Sequence, residues 1–366
     1  MKILVLVTSR RISWHNGTGR SSCPLKHGPA GKEEQLMKAL VIEAPGSIEI
    51  REVVDPEIKK EDDVLIRVTA CGICGTDIHI FGGLKSARYP VVPGHEFCGV
   101  VEVVGKRAAE KLKEGDRVVV DPNLSCFQCE ACREGRINHC TNGMINQGVN
   151  LDGGFAEFAR VNVKQCYRIS RDMPEDVAVL GEPLSCVLHG LDKAEVFPSE
   201  RVVVFGGGPI GVLIYKCLHT IMGVSDICIV EISQERINAA RAAGVESISD
   251  TIPQGEADVV FEACGSVEAF ESGIRMLAPS GRLVQFGVPV EDAIGRVPLY
   301  EIYRKEISIV GSFVNPFTMK RSVELLLVYQ DLFSGIAVTR LSLEEAKSVI
   351  RGEMATSGFL KAVVSF

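Results

Sequence analysis

A thiolate, an imidazole and a carboxylate stand close together in this chain. Cys74 lies in Cys71-Gly-Ile-Cys74-Gly-Thr76-Asp77-Ile-His79, and His95 and Glu96 follow in Pro93-Gly94-His95-Glu96. These are the three donor types that Zn²⁺ accepts in catalytic sites. Gly75 and Gly94 are expected to free the backbone to turn, so that both segments face one ion. Thr76 and His79 sit just beyond the thiolate, at a spacing that suits a hydroxyl-to-imidazole proton path. The competing reading is a set of ordinary buried side chains, because free cysteine packs like a small hydrophobe. Cys71 adjoins the stretch and is not assigned as a ligand.

A second constellation follows as Cys126-x₂-Cys129-x₂-Cys132-x₇-Cys140. Four thiolates in a short segment with little apolar content suit a closed tetrahedral zinc site. An iron–sulfur cluster is the rival. No proline follows Cys140 and no second cysteine group appears, so zinc is favoured. A closed site leaves no open position for substrate, and this one is expected to staple a lobe.

The third constellation is Gly206-x-Gly208-x-x-Gly211, with Pro209 and Ile210 in its gap. An apolar strand precedes it and an apolar helical stretch follows. The first glycine permits a tight turn, the second lets a pyrophosphate approach the backbone, and the third lets helix and strand pack closely. The helix N-terminus offers N–H groups to the phosphates. A second strand, Ile227–Val230, ends in Glu231, where a carboxylate accepts from adenosine ribose hydroxyls and repels a 2′-phosphate. NAD is therefore expected in preference to NADP, although Arg236 one turn on keeps NADP open.

Several elements must position these groups. Short apolar runs broken by turn residues, at Ala39–Ile42, Ile48–Val53, Val64–Val68, Phe97–Val104, Val118–Val120 and Phe155–Val161, predict a mainly β unit with the reactive groups on its loops. A helical stretch from Gly181 carries Glu182, Ser185, Cys186 and His189 towards Ala194. Beyond it, strands at Arg201–Phe205, Ile227–Val230, Ala257–Phe261 and Arg282–Phe286 alternate with helices at Gln234–Ala243 and Val267–Leu277, which predicts a doubly wound parallel sheet. Ile307–Ser312 reads as its last strand, Thr318–Val328 and Leu343–Arg351 as helices, and Lys361–Phe366 as a strand returning to the first unit. His189 and His219 are read as packed residues.

Length and composition fit two domains: 366 residues exceed what one core usually supports. With 46% hydrophobic and 24% charged residues the chain is globular in type. A net charge of −7 without a basic stripe argues against nucleic acid, and no apolar run reaches the length of a membrane span. Thirteen cysteines, four of them clustered, fit metal binding in a reducing, cytoplasmic setting. No Asp or Glu precedes Lys32, whereas Lys2, Arg10, Arg11, Arg20 and Lys26 do. Residues 1–36, which include the single tryptophan Trp14, are read as a disordered extension, with a transit peptide as the alternative.

Taken in order, Cys74-Gly-Thr76-Asp77, Gly94-His95-Glu96, the four-cysteine lobe and Gly206-x-Gly208-x-x-Gly211 make the chain from Met37 onward resemble the zinc-dependent medium-chain dehydrogenases. The resemblance implies a GroES-like catalytic domain (37–186, rejoined by 315–366), a Rossmann coenzyme domain (187–314), an active site between them, two zinc ions per chain and a homodimer or homotetramer. It also implies that Glu182, in Glu-Pro-Leu-Ser, stands where ethanol-type members carry a last cysteine ligand. This looks like the sorbitol (polyol) dehydrogenase branch, in which Cys74, His95, Glu96 and Glu182 surround the catalytic zinc. The implied activity is NAD-dependent oxidation of a secondary alcohol to a ketone, with Thr76 and His79 relaying the proton. Threonine, butanediol and sugar-alcohol phosphates are alternative substrates, Lys85 and Arg88 being candidate grips for a phosphate. A zinc- and NAD-binding protein without turnover is the alternative from another class.

Overall fold

The structure is a computed structural model that describes residues 35–356 and 358–366. The expectation for residues 1–36 falls almost wholly outside the described residues. Gln35–Phe366 forms one compact unit built around two large sheets.

The first sheet holds seven strands. Asp63–Gly72 pairs antiparallel with Glu96–Val104, Phe158–Asn162 and the C-terminal Ala362–Ser365, while Arg117–Val120, Cys166–Arg168 and Thr339–Leu341 extend it. A separate hairpin, Leu36–Ala44 with Ser47–Val54, packs beside it. Alternation of buried and exposed positions in Asp63–Gly72 accounts for this placement: Val64, Ile66, Val68 and Ala70 are fully buried, while Arg67 faces solvent. The chain end returns to this sheet as expected, with Val363 opposite Gly72 and Val364 opposite Cys71.

The second sheet has six parallel strands in the spatial order Ile248–Ser249, Ile227–Val230, Val202–Phe205, Ala257–Glu262, Leu277–Gln285, Ser308–Gly311. Chain order reverses direction beside Val202–Phe205, which makes its carboxyl end a topological switch point, the usual ligand crevice of such sheets. All four residues of that strand are buried, as expected for a strand covered on both faces. The helix Gly181–Ala194 packs between the two halves, and its apolar side joins a core cluster that runs from Cys98 and Val119 to Val204 and Val284.

Two expectations fail locally. The stretch after Cys74 is not loop but a helix, Gly75–Phe81, so Thr76 and His79 lie on a helix face three residues apart. The strand expected at Phe155–Val161 starts later, at Phe158.

Candidate active site

Cys74 stands at the N-cap of Gly75–Phe81 in extended backbone (φ −118°, ψ 157°), and His95 immediately precedes the strand that Glu96 opens. Gly72 and Glu96 are paired in the sheet, so the chain leaves one strand towards Cys74 beside the place where it enters the next. A donor atom from each of Cys74, His95 and Glu96 lies within 4.8 Å of the others.

Asp77, whose role the sequence did not signal, ties the two segments together. Fully buried, it accepts from the Cys74 N–H at Oδ2 (2.8 Å) and from the Gly94 N–H at Oδ1 (3.2 Å), and Oδ1 stands 3.7 Å from His95 Nδ1. Gly94 is required here: its φ is +90°, and a Cβ would approach Cys71 Sγ to 2.7 Å. Gly75 needs no such freedom, since it lies in the first helical turn, where a Cβ would meet nothing within 4 Å.

Lys361 is the second residue without an obvious role in the sequence. Its Nζ pairs with Glu96 Oε2, and both side chains are only 3% exposed. The pair occupies the space above Gly72, where a Cβ would collide with Glu96 Oε2 and lie 2.9 Å from Lys361 Cε. A single lysine inside the apolar run that closes the chain was the available signal. Burial alone would lower the Lys361 pKa, but Glu96 and the other acids outweigh it and raise it. Burial would likewise lower that of His95, and Cys74, Asp77 and Glu182 raise it well above its ordinary value.

Glu182 is buried on the first turn of Gly181–Ala194 and accepts from Cys186 Sγ at Oε1 (3.3 Å). Burial, opposed by His95, pushes its pKa up. It is not one of the three clustered donors, and so stands as a neighbour of the group. Thr76 Oγ1 lies 3.7 Å from Cys74 Sγ, and His79 is half-buried one turn further along. Lys85 is engaged elsewhere, its Nζ 2.5 Å from Glu291 Oε2 on the loop after Leu277–Gln285.

The fit to a cation follows from charge. Asp77, Glu96, Glu182 and the Cys74 sulfur are gathered around His95 and one buried lysine, while His95 Nδ1 is buried without a hydrogen-bond partner. A divalent ion would offset this excess of buried acid, and the S/N/O donor set is the one zinc takes.

The four-cysteine lobe is likewise assembled. Its sulfurs lie within 4.8 Å of one another as free thiols, and Cys126 Sγ accepts from the N–H groups of Gln128 (3.4 Å) and Cys129 (3.3 Å). The Thr141 hydroxyl beside Cys129, with nearby backbone N–H groups, lowers its pKa to about 5. Sulfurs this close suit a tetrathiolate ion site, with Cys129 its readily ionised member and burial pushing Cys132 up to about 12.

At the switch point, Gly206 adopts φ +110° and Gly211 lies directly over its carbonyl, whereas nothing approaches Gly208, which leaves its face open. Pro209 and Ile210 begin the helix Pro209–Lys216. Glu231, buried at the end of Ile227–Val230, accepts from the N–H groups of Gly207 and Ser233 (both 2.9 Å), with Arg236 Nη1 3.9 Å away. All the residues expected in the dinucleotide site therefore lie at the carboxyl ends of two adjacent strands, Val202–Phe205 and Ile227–Val230.

Comparison with known proteins agrees with this geometry. The sequence pattern of the alcohol dehydrogenase GroES-like domain matches residues 60–171, and that of zinc-binding dehydrogenases matches residues 209–327. A D-altritol 5-dehydrogenase from Agrobacterium fabrum (strain C58) is 35% identical over 77% of this chain and 85% of its own. The chain belongs to the zinc-binding dehydrogenases. Another relative, D-arabinitol dehydrogenase 1 from Uromyces fabae, is 31% identical over 90% of this chain and 97% of its own. Among solved structures, one described as a zinc-binding dehydrogenase from Sinorhizobium meliloti 1021, bound to NADP, superposes with a TM-score of 0.85 at 32% identity, over 91% of this chain and 100% of that one. Zinc and a nicotinamide cofactor are thus the groups that this zinc-binding dehydrogenase is built to hold.

Proposed function

We propose that this chain oxidises a secondary alcohol of a polyol to the ketone with NAD as hydride acceptor. The observation that carries the reading is the convergence of Cys74, His95 and Glu96. Zinc there supplies Lewis acidity that lowers the pKa of an alcohol, and the nicotinamide supplies the hydride acceptor. Cys74, His95 and Glu96 hold the ion, with Glu182 beside them. Thr76 Oγ1 takes the alcohol proton, and His79 passes it towards solvent. Cys126, Cys129, Cys132 and Cys140 hold the second zinc. Gly206, Gly208, Pro209, Ile210 and Gly211 receive the pyrophosphate, and Glu231 the adenosine ribose, which favours NAD despite Arg236 and the NADP-bound neighbour.

Polyhydroxylated substrates are favoured by the relatives' names, altritol and arabinitol dehydrogenases. A phosphorylated substrate is less well served, because Lys85 is committed to Glu291. We assign 37–186 and 315–366 to the catalytic domain and 187–314 to the coenzyme domain, which the return of Ala362–Ser365 to the first sheet supports. A homodimer is supported by the outer strand Ser308–Gly311 and the exposed Tyr300, Tyr303 and Ile309 near it. The free thiols favour the cytoplasm, and no described helix is long and apolar enough to cross a membrane.

The test is a screen of polyols, their phosphates, butanediol and threonine, with NAD⁺ and NADP⁺ side by side, read as NADH absorbance alongside metal analysis. Turnover of a polyol with NAD⁺ and loss of activity in Cys74→Ser are expected. Full turnover by Cys74→Ser overturns the site assignment, and tight zinc and NAD binding with no turnover on any substrate favours the non-catalytic reading.

A further inference from the structure

Behind the site, three distant stretches of chain meet on one amide side chain. Asn315 follows the last parallel strand and is 2% exposed. Its Nδ2 donates to Asp121 Oδ1 (3.1 Å) and to Ser185 Oγ (2.8 Å), and its Oδ1 accepts from Asn123 Nδ2 (2.7 Å). Both N–H groups and the carbonyl of the amide are thereby used. Ser185 Oγ in turn donates to the main-chain carbonyl of Glu182 (2.6 Å), and Thr318 Oγ1 donates to the Ser185 carbonyl (2.7 Å). Ser322 Oγ donates to the carbonyl of Gly181 (2.6 Å). The helical turn that carries Glu182 is therefore held by side chains from 315–322, and Asn315 joins that turn to the strand end at Asp121.

We infer that Asn315 is a positioning residue for the active site: through Ser185 it fixes the turn bearing Glu182 against the strand end at Asp121 and Asn123. This rests on the dehydrogenase reading for its kinetic consequence but on the hydrogen bonds for its geometry. Glu182 reaches the site from a different element than Cys74, His95 and Glu96, so its register with them depends on how its helix is docked. Catalytic groups must keep their place to about half an ångström, and a misplacement of about 1 Å can cost a hundredfold in rate. Asp121 contributes the anchor. It is half-buried, and its carboxylate oxygen is committed to the Asn123 N–H (3.0 Å) and to Asn315.

Reversing the donor and acceptor provides the test. Asn315→Asp sets a carboxylate against Asp121 and removes the donor to Ser185. Its kcat is expected to fall by about tenfold or more, while the cofactor KM stays within about twofold because none of the Asn315 side-chain partners lies in the glycine loop or at Glu231. Asp121→Asn combined with Asn315→Asp restores a donor and an acceptor between 121 and 315 but not the donor to Ser185, so thermal stability is expected to recover while kcat stays lowered. Ser185→Ala cuts the same link without altering charge, should lower kcat similarly, and carries the kinetic arm if Asn315→Asp does not fold. With cobalt(II) in place of zinc, the visible bands of the catalytic ion should shift in Asn315→Asp and Ser185→Ala and stay shifted in the double variant. Wild-type kcat and cobalt spectrum in both single variants, or a double variant that regains kcat and the wild-type spectrum without the Ser185 donor, overturns the inference. If the wild type oxidises no alcohol, the functional reading fails while the cobalt spectra still decide the positioning role.

Discussion

Replacing Lys361 by methionine removes a buried positive charge while nearly conserving the volume and apolar stem of the side chain. Lys361 and Glu96 are each 3% exposed and paired with one another. Breaking a buried ion pair from one side costs about 3–5 kcal/mol, because the remaining charge is left without compensation. In the metal-free protein Glu96 would then face Cys74, Asp77 and Glu182 with only His95 to offset them, so the full ~3–5 kcal/mol is expected. A divalent ion in the site supplies the missing charge, and with zinc bound the loss should shrink to about 1–2 kcal/mol. Urea unfolding of wild type and Lys361→Met, each with excess zinc and after chelation, measures both penalties. Loss of the four-cysteine ion is common to both proteins and cancels in the comparison. Equal penalties in the two metal states would refute the claim that Lys361 and a cation share the task of neutralising this pocket.

Gly72→Ala should disrupt the same pair without changing any charge, since its Cβ would collide with Glu96 Oε2; a destabilisation of about 1–3 kcal/mol is expected in thermal unfolding, with reduced zinc in the catalytic site by metal analysis. Burial pushes the pKa of Asp121 from 3.8 up to about 6, so the folded chain binds this proton more tightly than the unfolded chain. Its contribution to stability is therefore greatest below the unfolded value and is lost as pH rises from about 4 to about 6, by ~3 kcal/mol at ~1.4 kcal/mol per pKa unit. Asp121→Asn should remove that slope, visible as a stability difference from wild type that changes over this range and is flat above it. Cys129→Ser should release one zinc per chain and expose the lobe to proteolysis, whereas Cys74→Ser should release the other and leave the lobe resistant.

Local order was legible where residue type and spacing carry the physics. The strand at Ile227–Val230 runs as read, bounded by turn residues and closed by Glu231, because an uninterrupted apolar run in a parallel sheet has few alternatives. The four cysteines and the glycine loop were visible because their chemistry needs fixed short spacings. The helix Gly75–Phe81 was not, since seven residues with two β-branched isoleucines and a threonine have weak helical preference, and its local capping box pairs Asp77 with a cysteine at the N-cap instead of the usual serine or threonine. Lys361 and Asn315 were missed for another reason: their partners lie far away along the chain, at Glu96, Asp121 and Ser185.

Those two omissions bear on how the site is held. Cys74, His95 and Glu96 come from neighbouring segments joined by Asp77, so they would keep their mutual geometry as long as the first sheet survives. Glu182 belongs to another element, and Lys361 arrives from the end of the chain. The charge around the ion is therefore set by groups whose docking depends on hydrogen bonds between distant segments. A change in those bonds would alter the acid beside the metal before it altered the ligands themselves. Substitutions at Asn315, Ser185 or Lys361 should accordingly shift rate and pH dependence while the three clustered donors stay in place, a separation that metal affinity and kcat, measured on the same variants, would expose.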